Sequence, residues 1–209
     1  MCYNVQNKAS FQALIERFNA KFNLPQLYQP HQEINAFAGI HLPILTNEAS
    51  RVFQFGHWGL LPNWAKDISF DKNTKNARLE TIGEKPSFRG YKEQRCLIPA
   101  TAFYEWKRHD SKGKKKEKFI ISPKNISIFT FAGLYNRWKD PNSGKELLSF
   151  TIVTKSAEGI MQEIHNTKQR MPVILKMNSE NAWLSNGKID YVSDFIAVSQ
   201  TPMNLKFNF

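Results

Sequence analysis

A chain of 209 residues with 41% hydrophobic side chains, among them 16 Phe and 5 Trp, can build one packed core and is too apolar for a disordered segment. Its 29 Lys and Arg outnumber 18 Asp and Glu to leave a net charge of +11, which draws polyanions and makes nucleic acid the first partner to consider, an acidic membrane surface the second. No stretch reaches the length of a membrane span, no Cys/His cluster has metal-ligand spacing, and Cys2 and Cys96 are the only cysteines, so neither a disulfide framework nor a metal or other cofactor is expected. The first residues lack the basic-then-apolar pattern of a signal peptide, and cytoplasmic residence is the expectation.

Along the chain, Ser10 is placed to cap a helix running to about Phe22, with Phe11, Leu14, Ile15, Phe18 and Phe22 on one face. Pro25 and Pro30 mark the loop that follows, and residues 34–62 alternate short apolar runs with Gly39, Pro43, Gly56, Gly59 and Pro62, the pattern of strands and turns. Arg95 to Trp106 reads as strand interrupted at Pro99. Lys107 to Lys118 holds seven Lys/Arg and two acids and reads as the solvated tip of a hairpin. Ile126, Ile128, Thr130 and Ala132 alternate as in a strand, and Leu148 to Thr154 forms another. A short helix follows with Ile160, Met161 and Ile164 facing inward and His165 at its end; Ser179 is placed to cap a last helix ending at Gly187. The mixture has no βαβ rhythm and no repeat. It predicts an α+β fold, one domain over residues 1–209, with largely antiparallel, barrel-like sheets flanked by a few short helices.

Cys2 carries the most chemical information. Removal of Met1, which is expected when the next residue is small, leaves an N-terminal Cys whose amine and thiol titrate near 8 and 8.5 in model compounds, so that a useful minority of each is nucleophilic at neutral pH. Such a 1,2-aminothiol condenses with an aldehyde: the amine forms an imine, and the thiol adds to it and closes a thiazolidine. An abasic deoxyribose in its ring-opened form is such an aldehyde.

Five segments occur in order: Met1-Cys2; Trp58-Gly59-Leu60-Leu61-Pro62-Asn63-Trp64-Ala65-Lys66-Asp67; Asn76-Ala77-Arg78-Leu79-Glu80-Thr81; Arg95-Cys96-Leu97-Ile98-Pro99 running into Phe103-Tyr104-Glu105-Trp106-Lys107; and Ile164-His165 with Arg170-Met171-Pro172-Val173-Ile174-Leu175. In content and order they resemble the SRAP (SOS-response-associated peptidase) family. The resemblance implies covalent capture of abasic sites in single-stranded DNA, with Cys2 as nucleophile and Glu105 moving protons. It implies that His165 protonates the sugar ring oxygen or steers the adjacent phosphate, and that Asn76 holds the sugar and the Cys2 terminus. Arg78 and Arg170 would contact phosphate, Thr154 would line the pocket, and Trp106 would form a wall against DNA or core. Trp58, Trp64 and Phe88 read as core.

The chain departs from the family pattern in three places. Cys2 is followed by Tyr3-Asn4 where many members have Gly-Arg, Ala102 stands where Gly is usual, and the gap from His165 to Arg170 is longer. Apart from the resemblance, Glu105 also reads as an outward strand residue, His165 as a helix C-cap and Asn76 as a turn residue. Two other functions fit the sequence: a thiol peptidase using Cys2 with His165 as base, and a non-catalytic nucleic-acid binder for which the charge suffices.

Overall fold

The computed structural model describes residues 2–201, so the expected removal of Met1 lies outside the described residues. β1 (Asn4–Asn7) opens the fold and is buried throughout. Ser10 caps α1 (Phe11–Phe18), its hydroxyl accepting the Ala13 N–H at 3.1 Å. The helix is shorter than its apolar stripe: Asn19 adopts the left-handed conformation (φ 44°), and Phe22 falls in β2 (Lys21–Phe22), stacked on Phe53 at 4.5 Å.

β3 (His31–Asn35), β4 (His41–Thr46) and β5 (Ala49–Trp58) follow, then β6 (Asn76–Arg78). Gly59 ends β5 at φ 128°, where an added Cβ would lie 2.7 Å from that of Asp71. The apolar run after Arg95 is two strands, β7 (Arg95–Ala100) and β8 (Ala102–Arg108). Its break falls at Thr101 rather than Pro99. Pro99 pairs with Thr130 inside β7, whereas the Thr101 N–H bonds the Gln6 carbonyl at 2.8 Å and turns the chain into another sheet.

The basic tip joins β8 to β9 (Lys116–Pro123), and β10 (Phe129–Lys139) begins three residues past Ile126. β11 (Glu146–Ser156) leads to α2 (Ile160–Ile164), β12 (Arg170–Pro172), β13 (Ile174–Leu175), α3 (Glu180–Leu184) and β14 (Phe195–Ser199). Met161 and Ile164 are buried as expected, but Ile160 is exposed. Ser179 precedes α3 without capping it, and its Oγ accepts the Asp190 N–H instead.

The strands form two sheets, one in the order β14-β9-β8-β1-β3 and one in the order β12-β11-β10-β7-β4-β5-β2. In the second sheet β5 also pairs with β11, His57 opposite Ser149 and Trp58 opposite Phe150, which closes β11-β10-β7-β4-β5 into a barrel-like ring. Most pairings are antiparallel, and the fold is α+β, as the sequence predicts. Trp58 and Phe88 are core residues. Trp64 is not: it is 53% exposed and meets Phe70 edge-on. Among the described residues no helix is long and apolar enough to cross a membrane.

Candidate active site

The two sheets meet where β1 begins. β1 lies against β8, with Asn4 opposite Tyr104 and Val5 opposite Phe103; continuing that register brings Cys2 level with Trp106 and beside Glu105. From the other sheet, β6 runs parallel to β11, placing Asn76 opposite Ile152. The Asn76 Nδ2 donates to the Cys2 carbonyl at 3.0 Å, fixing the start of the chain across 74 positions. The Oδ1 of Asn76 is buried without a hydrogen-bond partner among the described residues, which leaves an acceptor facing this junction.

α2 ends at His165, whose ring Nε2 lies 3.9 Å from Glu105 Oε2. That gap is too long for a direct hydrogen bond. The other ring nitrogen, Nδ1, accepts the Arg170 N–H at 3.0 Å, so the neutral ring carries its proton on Nε2, toward the carboxyl. Burial raises the Glu105 carboxyl from 4.5 to about 7, poising it to give and take protons at neutral pH. Burial, with nearby positive charge, lowers His165 from 6.5 to about 4, so it stands neutral there.

Cys2 is fully buried, and its thiol is raised well above the ordinary value by burial and then by the Glu105 charge. The useful minority of thiolate expected from the bare sequence is therefore lacking in this state: the sulfur keeps its proton until a base removes it. A cleft of about 200 Å³ opens over Glu105 and His165, walled by Tyr3 and Trp106. Arg108, Lys116 and Lys168 also line it. These three cations escape a reading of the sequence. For Arg108 and Lys116 the signal is the period of two from Trp106 to Arg108 and their cross-strand pairing, which a run of lysines hides; Lys168, in the loop before β12, has none. Among the described residues, no group of three or more His, Cys, Asp or Glu is arranged to hold a metal ion.

The family model described as SOS response associated peptidase (SRAP) matches residues 1–206. The chain belongs to the SRAP family. It is 38% identical over 200 residues to the abasic site processing protein YoqW of Bacillus subtilis (strain 168), covering 94% of this chain and 86% of that protein. It is 31% identical over 165 residues to the abasic site processing protein HMCES of Xenopus tropicalis, covering 68% of this chain and 48% of that longer protein. A solved structure of a protein from Bacteroides thetaiotaomicron superposes with a TM-score of 0.86 at 32% identity, covering 98% of this chain and 94% of that one.

The residues that the SRAP resemblance assigns to DNA occupy different environments. Arg78 is exposed and makes no side-chain hydrogen bond or ion pair among the described residues, so its charge faces solvent. Trp106 is half-buried at the cleft wall, with Lys118 Nζ 5.5 Å from its ring. Thr154 is fully buried, its hydroxyl donating to the Ala77 carbonyl at 3.3 Å, and it is not part of the cleft lining. Arg170 is also buried, with its guanidinium forked onto Glu80 at 2.8 Å for both bonds. Tyr3, which replaces the usual glycine, packs on Phe37 at 5.3 Å and covers one side of the cleft.

Proposed function

We propose that this chain captures abasic sites in single-stranded DNA as a covalent thiazolidine on Cys2. The observation that supports it best is the seating of Cys2 between Asn76, which holds its carbonyl, and Glu105, a buried acid titrating at about 7. The names of the relatives, abasic site processing proteins, point to the same substrate.

Removal of Met1 frees the Cys2 amine. The ring-opened abasic sugar presents its C1 aldehyde to that amine, which adds to form a carbinolamine. Loss of water gives the imine. Glu105 in its acid form protonates the departing hydroxyl, and as the carboxylate it then takes the thiol proton. The sulfur adds to the carbon of the imine, still protonated on nitrogen, and the C=N electron pair returns to that nitrogen while Glu105 keeps the thiol proton. The balance is aldehyde plus aminothiol to thiazolidine plus one water. Because His165 is neutral, its Nε2–H serves as a hydrogen-bond donor to the sugar oxygen while Glu105 carries the protons. The cleft cations Arg108, Lys116 and Lys168, together with exposed Arg78, supply positive charge for the flanking phosphates.

A thiol peptidase, the activity in the family's description, would use the Cys2 sulfur without its amine, whereas the aldehyde chemistry needs both groups. Cys2→Ser separates the readings. Wild type should give an adduct with an abasic oligonucleotide that survives heating, whereas the serine variant should give an imine that borohydride traps and heat otherwise releases. Equally heat-stable adducts from both proteins would show that the sulfur does not close the ring, and no dependence on the aldehyde would favour a peptidase.

A further inference from the structure

His165 is useful to the reaction only if its proton is on the nitrogen facing Glu105, and an isolated neutral imidazole exchanges between two tautomers. What selects one here is the Arg170 N–H, 3.0 Å from Nδ1. That N–H is itself positioned by a carboxylate from the helical turn that follows β6. The Arg170 guanidinium is buried and forked onto Glu80, Nη1 to Oε1 and Nη2 to Oε2, both at 2.8 Å. Its Nη2 also donates to the Thr154 carbonyl at 2.7 Å. Glu80 Oε1 accepts the N–H of Ser156 at 3.2 Å, and Ser156 is paired with Arg170 between β11 and β12. Glu80 therefore holds both strands at the point where β12 starts.

The loop between His165 and Arg170 is closed to suit. Gln169 takes φ 46°, and its N–H bonds the His165 carbonyl at 2.9 Å. On the opposite side, Asn166 is clasped to the backbone of Arg108, accepting its N–H at 3.2 Å and donating to its carbonyl at 2.8 Å. The loop is thus tied to the strand that carries Glu105 at one end and to Glu80 at the other.

We propose that Glu80 is a positioning residue that, through Arg170, locks the proton of His165 on Nε2, toward Glu105. The proposal rests on the assignment of His165 to the covalent site. Glu80 does not touch the reacting atoms. Its carboxylate partly faces solvent, whereas the guanidinium it holds is 9% exposed. Without the carboxylate, a buried cation loses its fork, and the start of β12 is free to shift away from the imidazole.

The test is nitrogen NMR of the protein labelled in its histidine rings, without DNA, with His165→Gln to assign the resonances. Wild type should show His165 as the Nε2–H tautomer alone. Glu80→Ala should populate the Nδ1–H form and slow crosslinking to an abasic oligonucleotide roughly tenfold, less than loss of the full general-acid contribution. Glu80→Gln, which keeps one acceptor for the guanidinium, should fall between the two and carries the test if the alanine variant does not fold. An unchanged tautomer in the folded variants overturns the proposal whatever the rate does. So does faster crosslinking in Glu80→Ala, which would make Arg170 a phosphate contact that Glu80 restrains. A wild type that fails to crosslink sinks the covalent reading alone, because the spectra judge the brace without substrate.

Discussion

Among the described residues, two acid–imidazole pairs are largely buried, and they are built differently. His57 Nε2 lies 2.7 Å from Asp71 Oδ2, and the Lys75 ammonium reaches the same oxygen at 2.7 Å and the Trp58 carbonyl at 2.5 Å. The acid touches both the imidazole and the ammonium, and the cation balances it. His165 and Glu105 face each other across 3.9 Å beside an open cleft, and burial drives the carboxyl up and the imidazole down. Closed pairing holds a structure together, whereas in the spaced, desolvated pair the carboxyl exchanges its proton near neutral pH beside an imidazole that stays neutral.

Three changes test that contrast. The largest effect belongs to the spaced pair. Glu105→Gln should slow crosslinking by about two to four decades while the fold persists, as single-turnover kinetics and circular dichroism would show. Unchanged kinetics would place Glu105 in the framework. Next comes the closed cluster: Asp71→Ala strands the Lys75 ammonium, whose side chain is 2% exposed, and should cost about 3 to 5 kcal/mol in denaturant unfolding. A loss below about 1 kcal/mol would show that the cluster behaves like a solvated surface pair.

The smallest effect is a pH dependence. The Glu105 carboxyl binds its proton more tightly folded, at about 7, than at its ordinary 4.5. Between those values the folded state carries more protons than the unfolded, so this stabilisation is fully present below 4.5 and is lost as pH rises through about 7. Glu105→Gln removes the dependence. Relative to wild type, the variant should gain stability from pH 5 to pH 8, by up to about 3 kcal/mol at about 1.4 kcal/mol per unit. His165 works in the opposite direction, its stabilisation being lost as pH falls from 6.5 through about 4, and it is present in both proteins. A flat stability difference would mean that Glu105 is already solvated.

Local patterns were legible where one element decided the outcome. The Ser10 cap, the hairpin around the lysine run and the short helix before His165 follow from turn chemistry and periodicity alone. Boundaries set by partners were not legible. Pro99 looks like a strand breaker but has a cross-strand partner in Thr130, and the sheet change at Thr101 depends on the carbonyl of Gln6, 95 residues earlier. Trp64 has a core residue's side chain and a surface residue's position, because the loop that carries it leaves the ring in solvent, edge-on to Phe70.

The sequence by itself determined which chemical groups this protein possesses: a cysteine at position 2, an acid between two aromatics, a histidine ending a helix, an asparagine before an arginine, and an excess of positive charge. These are properties of side-chain type and order, and the family resemblance rests on them. Only the tertiary structure decided what state those groups are in. Cys2, Asn76, Glu105 and His165 are strung over more than 160 positions and meet because β1 leaves one sheet where β6 and α2 reach it from the other. The raised carboxyl, the lowered imidazole and the protonated thiol all follow from what surrounds each group once it has left water. Arg170 shows the same limit: its charge was plain in the sequence, but only the fold placed Glu80 across from its guanidinium and its backbone N–H against the His165 ring.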